Sequence, residues 1–382
     1  AAAGLLVRTF THLRGLEPGF DGQNVYAATL SLQDARYRTS AQVNALANTT
    51  LERLRQSPGV EEAAISLGLP YERLLNLVFR HLDGPHASDD QGRMTNATYV
   101  TPGFFSALRI PLRAGRAFDE RDTVTSPGVV VINETMAREY FDGENPVGRR
   151  IRLSGMDREI IGVVGDVQVK PSFGSRGPLA PAPLAYIPLS QTSDGFLRQV
   201  HVWFPTSVIV RVQGAPAGIL ATIRAAVESS DSMLPVAEIR SMADVQAEAV
   251  AVPRLMMVLL LTLAGAAVAL AAIGIHGLTS SSVTERTREM GIRMALGATA
   301  GRAMVTVMTP ALALTAAGVL LGILASRSAT TVIQAFVFGV SPTDPATYGA
   351  VTVLFIVVAA IASGLPALRI LRLDPALTLR AE

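Results

Sequence analysis

The chain of 382 residues contains no cysteine, which excludes disulfides, thiolate zinc ligands and thiol catalysis and leaves the redox compartment open. Lysine is almost as scarce: Lys170 is the sole one among 33 basic residues, the rest being arginine. A phosphate-cradling P-loop needs a Gly-Lys pair, but residue 169 is Val, so ATP is not bound by that route. Charge itself is thin, at 17% of residues against 49% hydrophobic, with a mean hydropathy of +0.36. Those values lean away from an ordinary soluble domain. A net charge of +2 argues against a strongly basic nucleic-acid surface, and no basic and aromatic interleaving suggests one.

What charge there is lies mostly before Arg254; the last third is built of long uncharged runs. Leu255 to Thr284, Ala303 to Ser326 and Pro345 to Leu368 carry no formal charge. About 20 apolar residues rising 1.5 Å each span the hydrocarbon core, so three crossings are expected near residues 255–280, 303–326 and 346–368. Gly318-Val-Leu-Leu-Gly322 supplies small residues that let helices approach closely, and Pro310 is expected to kink the second crossing. Arg286, Arg288, Arg293 and Arg302 lie between the first two runs and Arg369, Arg372 and Arg380 in the tail, against Arg327 alone between the second and third. The positive-inside rule then makes the first connection and the C-terminus cytoplasmic and everything before Arg254 extracytoplasmic. Ala1 to Val7 reads as the outer end of a helix begun upstream, giving a bundle of three complete transmembrane helices plus the end of a fourth, with residues 1–19 as that end and a stalk.

Residues 20–250 carry mixed signals for an α+β domain of two lobes, and 251–382 form the membrane part. Strands are expected at Val25 to Leu32, near Ile65, at Val129 to Ile132, near Ile161 and at Ser207 to Val212. Helices are expected from Ser40, as N-cap, to Arg55, and at Glu134 to Tyr140, Pro216 to Ser229 and Ser241 to Ala249. The alternation points to at least one βαβ-like unit. The Pro and Gly rich stretch Lys170 to Pro188 reads as a long exposed loop and lobe boundary.

Three further groups bear on chemistry. His81, Asp83, His86, Asp89 and Asp90 in HLDGPHASDD match no zinc spacing, and a polar Gly-Pro loop exposes such residues anyway. His276 lies within an apolar run and is read as reaching the membrane interface. Trp203, Phe204 and Phe196 are assigned to core packing, with partner contact as the alternative. Glu134 and Glu139 read as one helix face and not an acid/base pair. No catalytic, cofactor or metal residue is expected.

The motifs TERTREMGIRMALGA (Thr284 to Ala298), FVFGVSPTDPATY (Phe336 to Tyr348) and LPALRILRLDPALTLRAE resemble the permease domain of MacB- and FtsX-type ABC transporters. TPGFFSALRIPLRAGRAF, VVVINETMAREYFDGENPVGRRI and EIIGVVGDV are similar to the MacB-type periplasmic core domain, and AAAGLLVRTFTHLRGLEPGFD resembles one half of the acidobacterial-type duplicated permeases. The resemblance implies a non-catalytic, multi-pass subunit of the bacterial inner membrane, with ATP bound on a separate cytoplasmic ABC ATPase. It also implies a second permease unit, as a homodimer or fused duplicate, and an outer domain that meets a substrate or periplasmic adaptor. The alternatives are a scaffold passing ATPase motion to an outer enzyme such as a cell-wall hydrolase, and lipoprotein release. Around Thr284 to Ala298, at 100° per residue, Val283, Thr287, Met290, Met294 and Ala298 share one helical stripe while Glu285, Arg286, Glu289 and Arg293 lie mostly opposite. Ile292 and Leu296 fall inside the charged arc, where a solvated face would want none, and a protein groove is their expected destination. Together with Arg288, Gly291 and Gly297, these residues (Glu285, Arg286, Glu289, Met290, Ile292, Arg293, Leu296) form the expected ATPase-coupling element. Gly291 is expected to weaken the helix there, and Gly318 and Gly322 are expected at a helix contact.

Overall fold

A computed structural model describes residues 2–87, 91–173, 177–214, 218–296, 299–328 and 344–368. The chain divides into two compact units, Leu16–Val250 and a second made of Ala1–Gly15 with Ala251–Glu382.

The first unit is organised by one continuous set of strand pairings. Four antiparallel strands run in the order β11 (Val236–Ser241), β1 (Val25–Leu30), β10 (Thr206–Val212), β2 (Val60–Ser66). Alternation decides which face is buried: Ala28 and Leu30, Ala63 and Ile65, and Val208, Val210 and Val212 all join one apolar cluster. Helices α2 (Ser40–Arg55) and α6 (Ile219–Ser230) cover that face. Val43, Leu46, Ala47, Leu51 and Leu54 of α2, and Ile219, Ile223, Ala226 and Val227 of α6, recur at helical spacing and enter the same cluster. The α2 N-cap is Thr39, one residue before the expected Ser40. Its hydroxyl accepts from Gln42 N and the Gln42 side chain accepts in return from Thr39 N, a reciprocal box that Ser40 could not make with Val43 at its own third position.

The second lobe is a closed barrel. β4 (Arg93–Val100) pairs with β3 (Leu75–His81), β3 with β7 (Arg150–Leu153), β7 with β8 (Met156–Val164), β8 with β6 (Val129–Asn133), β6 with β9 (Leu184–Pro188), and β9 with β4. Closure leaves no free edges around the ring, and Phe79, Val130, Ile132, Ile151, Leu153, Ile160, Ala185 and Ile187 fill it. β6 and β8 run parallel with α4 (Glu134–Tyr140) between them in sequence, the expected βαβ-like unit, although β7 is interposed. Short β5 (Leu112–Gly115) adds to β8 across a register shift, where glycine is required: a Cβ on Gly162 would lie 2.2 Å from Arg116 O. The lobes join through the Ser66↔Val100 pair.

The segment expected to be an exposed loop and lobe boundary, Lys170 to Pro188, instead contains β9, buried at all five positions and closing the barrel. Its prolines sit before the strand and at its last residue, which leaves Leu184 to Ile187 free to pair with β4, and Ala185 and Tyr186 to pair with β6 as well. Residues 174–176 lie outside the described set. α3 (Phe104–Ala107), α5 (Asp194–Trp203) and α7 (Met242–Ala249) complete the unit.

In the second unit, α1 (Ala2–Arg14), α8 (Ala251–Ala295), α9 (Ala300–Ser328) and α10 (Pro345–Ala367) are helical. Among the described residues three stretches are long and apolar enough to cross a membrane: Ala251–Arg286, Met308–Ser326 and Pro345–Pro366. α1 is helical well beyond Val7 and packs on α10 at Gly4, where a Cβ would come within 2.8 Å of Thr347 Cγ2. Asp344 caps α10 by accepting from Thr347 N at 2.8 Å, with Pro345 in the first turn, and it also receives Arg8 from α1.

Candidate functional site

α8 gives the expected coupling element its geometry. The helix is unbroken for 45 residues, through Gly291. At 1.5 Å per residue it is roughly 67 Å long, more than twice the ~30 Å hydrocarbon core. Gly291, expected to weaken the helix, does not interrupt it, since one glycine costs only about 1 kcal/mol, which a long cooperative helix absorbs. The charged segment is therefore not a separate interfacial helix but the projecting end of a membrane helix. Its last turn reaches Leu296, whose N donates to Ile292 O at 3.0 Å, and α9 begins at Ala300.

On this end, Glu285, Arg286 and Glu289 are exposed, and Glu285 accepts from Ser281 Oγ at 3.3 Å. Ile292 is 43% and Leu296 83% exposed, so the two apolar side chains expected in the charged arc stand one turn apart, Leu296 largely uncovered and Ile292 partly so. Val283, from the opposite stripe, is buried. The backbone of Arg288, Met290, Gly291 and Arg293 is helical, but their side chains lie outside the described set, as does Gly297 altogether. Most of FVFGVSPTDPATY, up to residue 343, and the arginines of the tail also fall outside it.

Among the described residues Gly318 and Gly322 do not form a close helix contact. A Cβ on either would meet no neighbour within 4 Å, and both line an open groove of about 500 Å³ between α8, α9 and α10. Below that groove α8 and α10 close up: Thr279, Ala359, Ala362 and Ser363 are buried. There the His276 Nδ1 lies 3.2 Å from Ala362 O. The histidine thus places one ring nitrogen against a neighbouring helix's carbonyl. α9 remains one helix through Pro310.

In the outer unit, no group of three or more His, Cys, Asp or Glu is placed to hold a metal among the described residues. His81 is buried against Phe79 and Phe141, His86 meets Asp142 at 2.7 Å, Asp83 accepts from Arg150 N, and Asp89 and Asp90 lie outside the described set. The expected core role of Trp203 fails. It is 78% exposed at the end of α5, while Phe196 and Phe204 pack at the edge of the sheet-lobe core. Glu134 opens α4 and pairs with Arg113 at 3.3 Å, in keeping with a helix face.

Sequence reasoning passed over the clamp at the entry to the outer unit. Arg211, fully buried in β10, donates to Ala107 O at 2.6 Å, Gln23 O at 3.1 Å, the Asp21 backbone carbonyl and Asp21 Oδ2 at 3.3 Å. Asp21 also accepts from Arg109, which reaches on to Glu61. Burial alone would push the Arg211 guanidinium down, and the neighbouring Asp21 charge opposes that. The available signal was a single charge in the apolar run TSVIVRV.

Comparison with known proteins bears on both units. Residues 13–253 match the family model of the MacB-like periplasmic core domain and residues 261–375 that of the FtsX-like permease C-terminal region. The macrolide export ATP-binding/permease protein MacB of Azoarcus sp. (strain BH72) is 27% identical over 300 residues, covering 77% of this chain and 44% of that protein. The uncharacterized ABC transporter permease YknZ of Bacillus subtilis (strain 168) is 28% identical over 235 residues, covering 60% of this chain and 56% of its own. The chain thus spans about half the length of these relatives. The periplasmic region of MacB from Actinobacillus actinomycetemcomitans aligns with 62% of this chain and 97% of its own at 15% identity, with a TM-score of 0.40.

Proposed function

Because this chain belongs to the family of ABC transporter permeases that join a MacB-like periplasmic core domain to an FtsX-like permease region, we propose that it couples ATP hydrolysis by a separate cytoplasmic ATPase to motion of its outer domain. The motion serves export or mechanical signalling across the inner membrane. One observation carries the reading: α8 continues several turns past its apolar span and ends in exposed Ile292 and Leu296 beside Glu285, Arg286 and Glu289. An apolar pair one turn apart within a charged surround suits a groove on a partner protein. A continuous helix also suits transmission, because it has no hinge in which displacement would dissipate. One residue, Val250, separates α7 of the outer unit from α8, so motion at the helix tip has a covalent route outward. ATP drives such a change only by favouring one arrangement over the other.

Single substitutions Ile292→Asp and Leu296→Asp test the docking. Each places a carboxylate where the proposal needs an apolar anchor, and each should abolish co-purification of an ABC ATPase with the full chain while membrane insertion is unchanged. Undiminished ATPase recovery with both variants would refute it.

A further inference from the structure

His276 is the only residue between Arg254 and Glu285 able to carry a charge, and the coupling just described gives it no role. Its partner explains its place. In a regular helix Ala362 O accepts from the N–H of residue 366, but α10 has Pro366 there, which has no N–H to give. Ala362 is buried and lies in a stretch apolar enough to cross a membrane, where water does not supply the missing donor. The neighbouring donors of α10 are committed elsewhere: Leu368 N to Gly364 O and Pro366 O, and Ser363 Oγ to Ala359 O at 2.6 Å.

The donor comes from α8, whose His276 Nδ1 stands 3.2 Å from Ala362 O. A carbonyl oxygen only accepts, so Nδ1 carries the hydrogen and Nε2 of the neutral ring is bare, the reverse of the form that free histidine favours. Small residues of α10, Ala359, Ala362 and Ser363, are buried where the two helices close up. Thr279, one turn on from His276, is buried there too, but its Oγ1 has no partner among the described residues. The link therefore runs through the imidazole and not through the hydroxyl.

We propose that His276 is a positioning residue that replaces the amide hydrogen Pro366 lacks, tying α8 to α10 at the carbonyl where α10 is weakest, so that the two helices shift together. His276 precedes Arg286 by ten residues, roughly 15 Å along α8. A displacement of the α8 tip is delivered to α10 through this bond, and with it to the chain beyond Leu368. The tie holds whichever partner moves α8, so it stands or falls separately from ATPase docking.

The full chain, carrying 15N-labelled histidine, is reconstituted in phosphatidylcholine bilayers at about pH 8.5, above the ordinary histidine range near 6.5. The His276 signal is the one missing from His276→Asn, and it should report the Nδ1–H tautomer; the Nε2–H form would overturn the tie. Stability in mixed micelles gives a second test. His276→Leu should raise the unfolding constant of the membrane unit roughly 3- to 30-fold. In a Pro366→Ala background, where α10 supplies its own N–H, the same change should have an effect under about twofold. Equal effects in the two backgrounds would contradict the proposal. His276→Asn keeps a donor nitrogen at the same place on the side chain and should rescue most of the loss, while Thr279→Val should change nothing; Asn as harmful as Leu would also contradict it. The chain has no native cysteine, so spin labels on Leu278→Cys and Leu368→Cys, both exposed sites, report the joint movement. Their separation should be narrowly distributed in the native chain, broadened by His276→Leu and narrowed again by adding Pro366→Ala; an unchanged width in His276→Leu would refute the tie.

Discussion

Acidification should weaken the outer domain through one buried side chain, His201. It lies on α5 in the sheet-lobe core, 3% exposed, with Nε2 2.8 Å from Tyr99 Oη, which in turn lies 2.6 Å from Thr206 Oγ1. Among the described residues its Nδ1 has no partner. Burial without a compensating anion pushes its pKa down to about 4, against an ordinary value of about 6.5. The unfolded chain therefore binds a proton between pH 6.5 and 4 that the folded one excludes. The neutral ring's contribution is complete above pH 6.5 and is lost as pH falls towards 4. At pH 4.5 the difference between the two pKa values corresponds to about 2.5 kcal/mol, and at pH 7.5 to nearly nothing. Urea unfolding of the full chain in detergent, followed by pulse proteolysis of the outer domain, gives the stability at both pH values for the native chain and for His201→Gln. Gln does not titrate but can still meet Tyr99. Carboxylate titrations are common to both proteins and cancel, so the native chain should lose about 2.5 kcal/mol more than the variant on acidification. Equal losses in the two proteins would refute the assignment of a neutral, proton-excluding His201.

Three other substitutions test the packing. Arg211→Leu strands the carbonyls of Asp21, Gln23 and Ala107 that the guanidinium satisfies, and should destabilise the outer domain by about 3–5 kcal/mol, towards the lower end because Asp21 keeps Arg109; a loss under about 1 kcal/mol by urea unfolding would show that the clamp is not a fastening. Phe79→Ala empties the centre of the barrel, where Phe79 is fully buried edge-on to Tyr140, at a cost of about 3–5 kcal/mol, whereas Met156→Ala at the exposed start of β8 should stay within about 0.5 kcal/mol.

The parts of the fold that sequence made legible are those in which local periodicity and burial agree. β6 and β10 are short apolar runs buried at every position, α4 begins at a capping Asn133, and the membrane helices announce themselves by length alone. What escaped is tertiary. β9 was hidden because prolines at 181, 183 and 188 look like loop, yet only the barrel's closure reveals that Ala185 and Tyr186 have strand partners on both sides. β3 and β4, which carry Arg80, His81, Arg93 and Asn96, read as polar until the ring makes one face interior. Trp203 was assigned inward because large aromatics usually are, but it ends α5 where the chain has already turned towards β10. At the candidate site the residue types and their helical faces were visible, including the anomalous Ile292 and Leu296. Their projection was not visible, because whether Gly291 interrupts a helix depends on its whole length rather than on that residue.

The proposal that an ATPase grips the α8–α9 tip requires that tip to lie on the cytoplasmic side, and absence of native cysteine makes this directly measurable. Leu296→Cys should be inert to a membrane-impermeant maleimide in intact spheroplasts and react once the membrane is permeabilised, while Trp203→Cys in the outer domain reacts in both. Labelling of Leu296→Cys in intact spheroplasts would contradict the account.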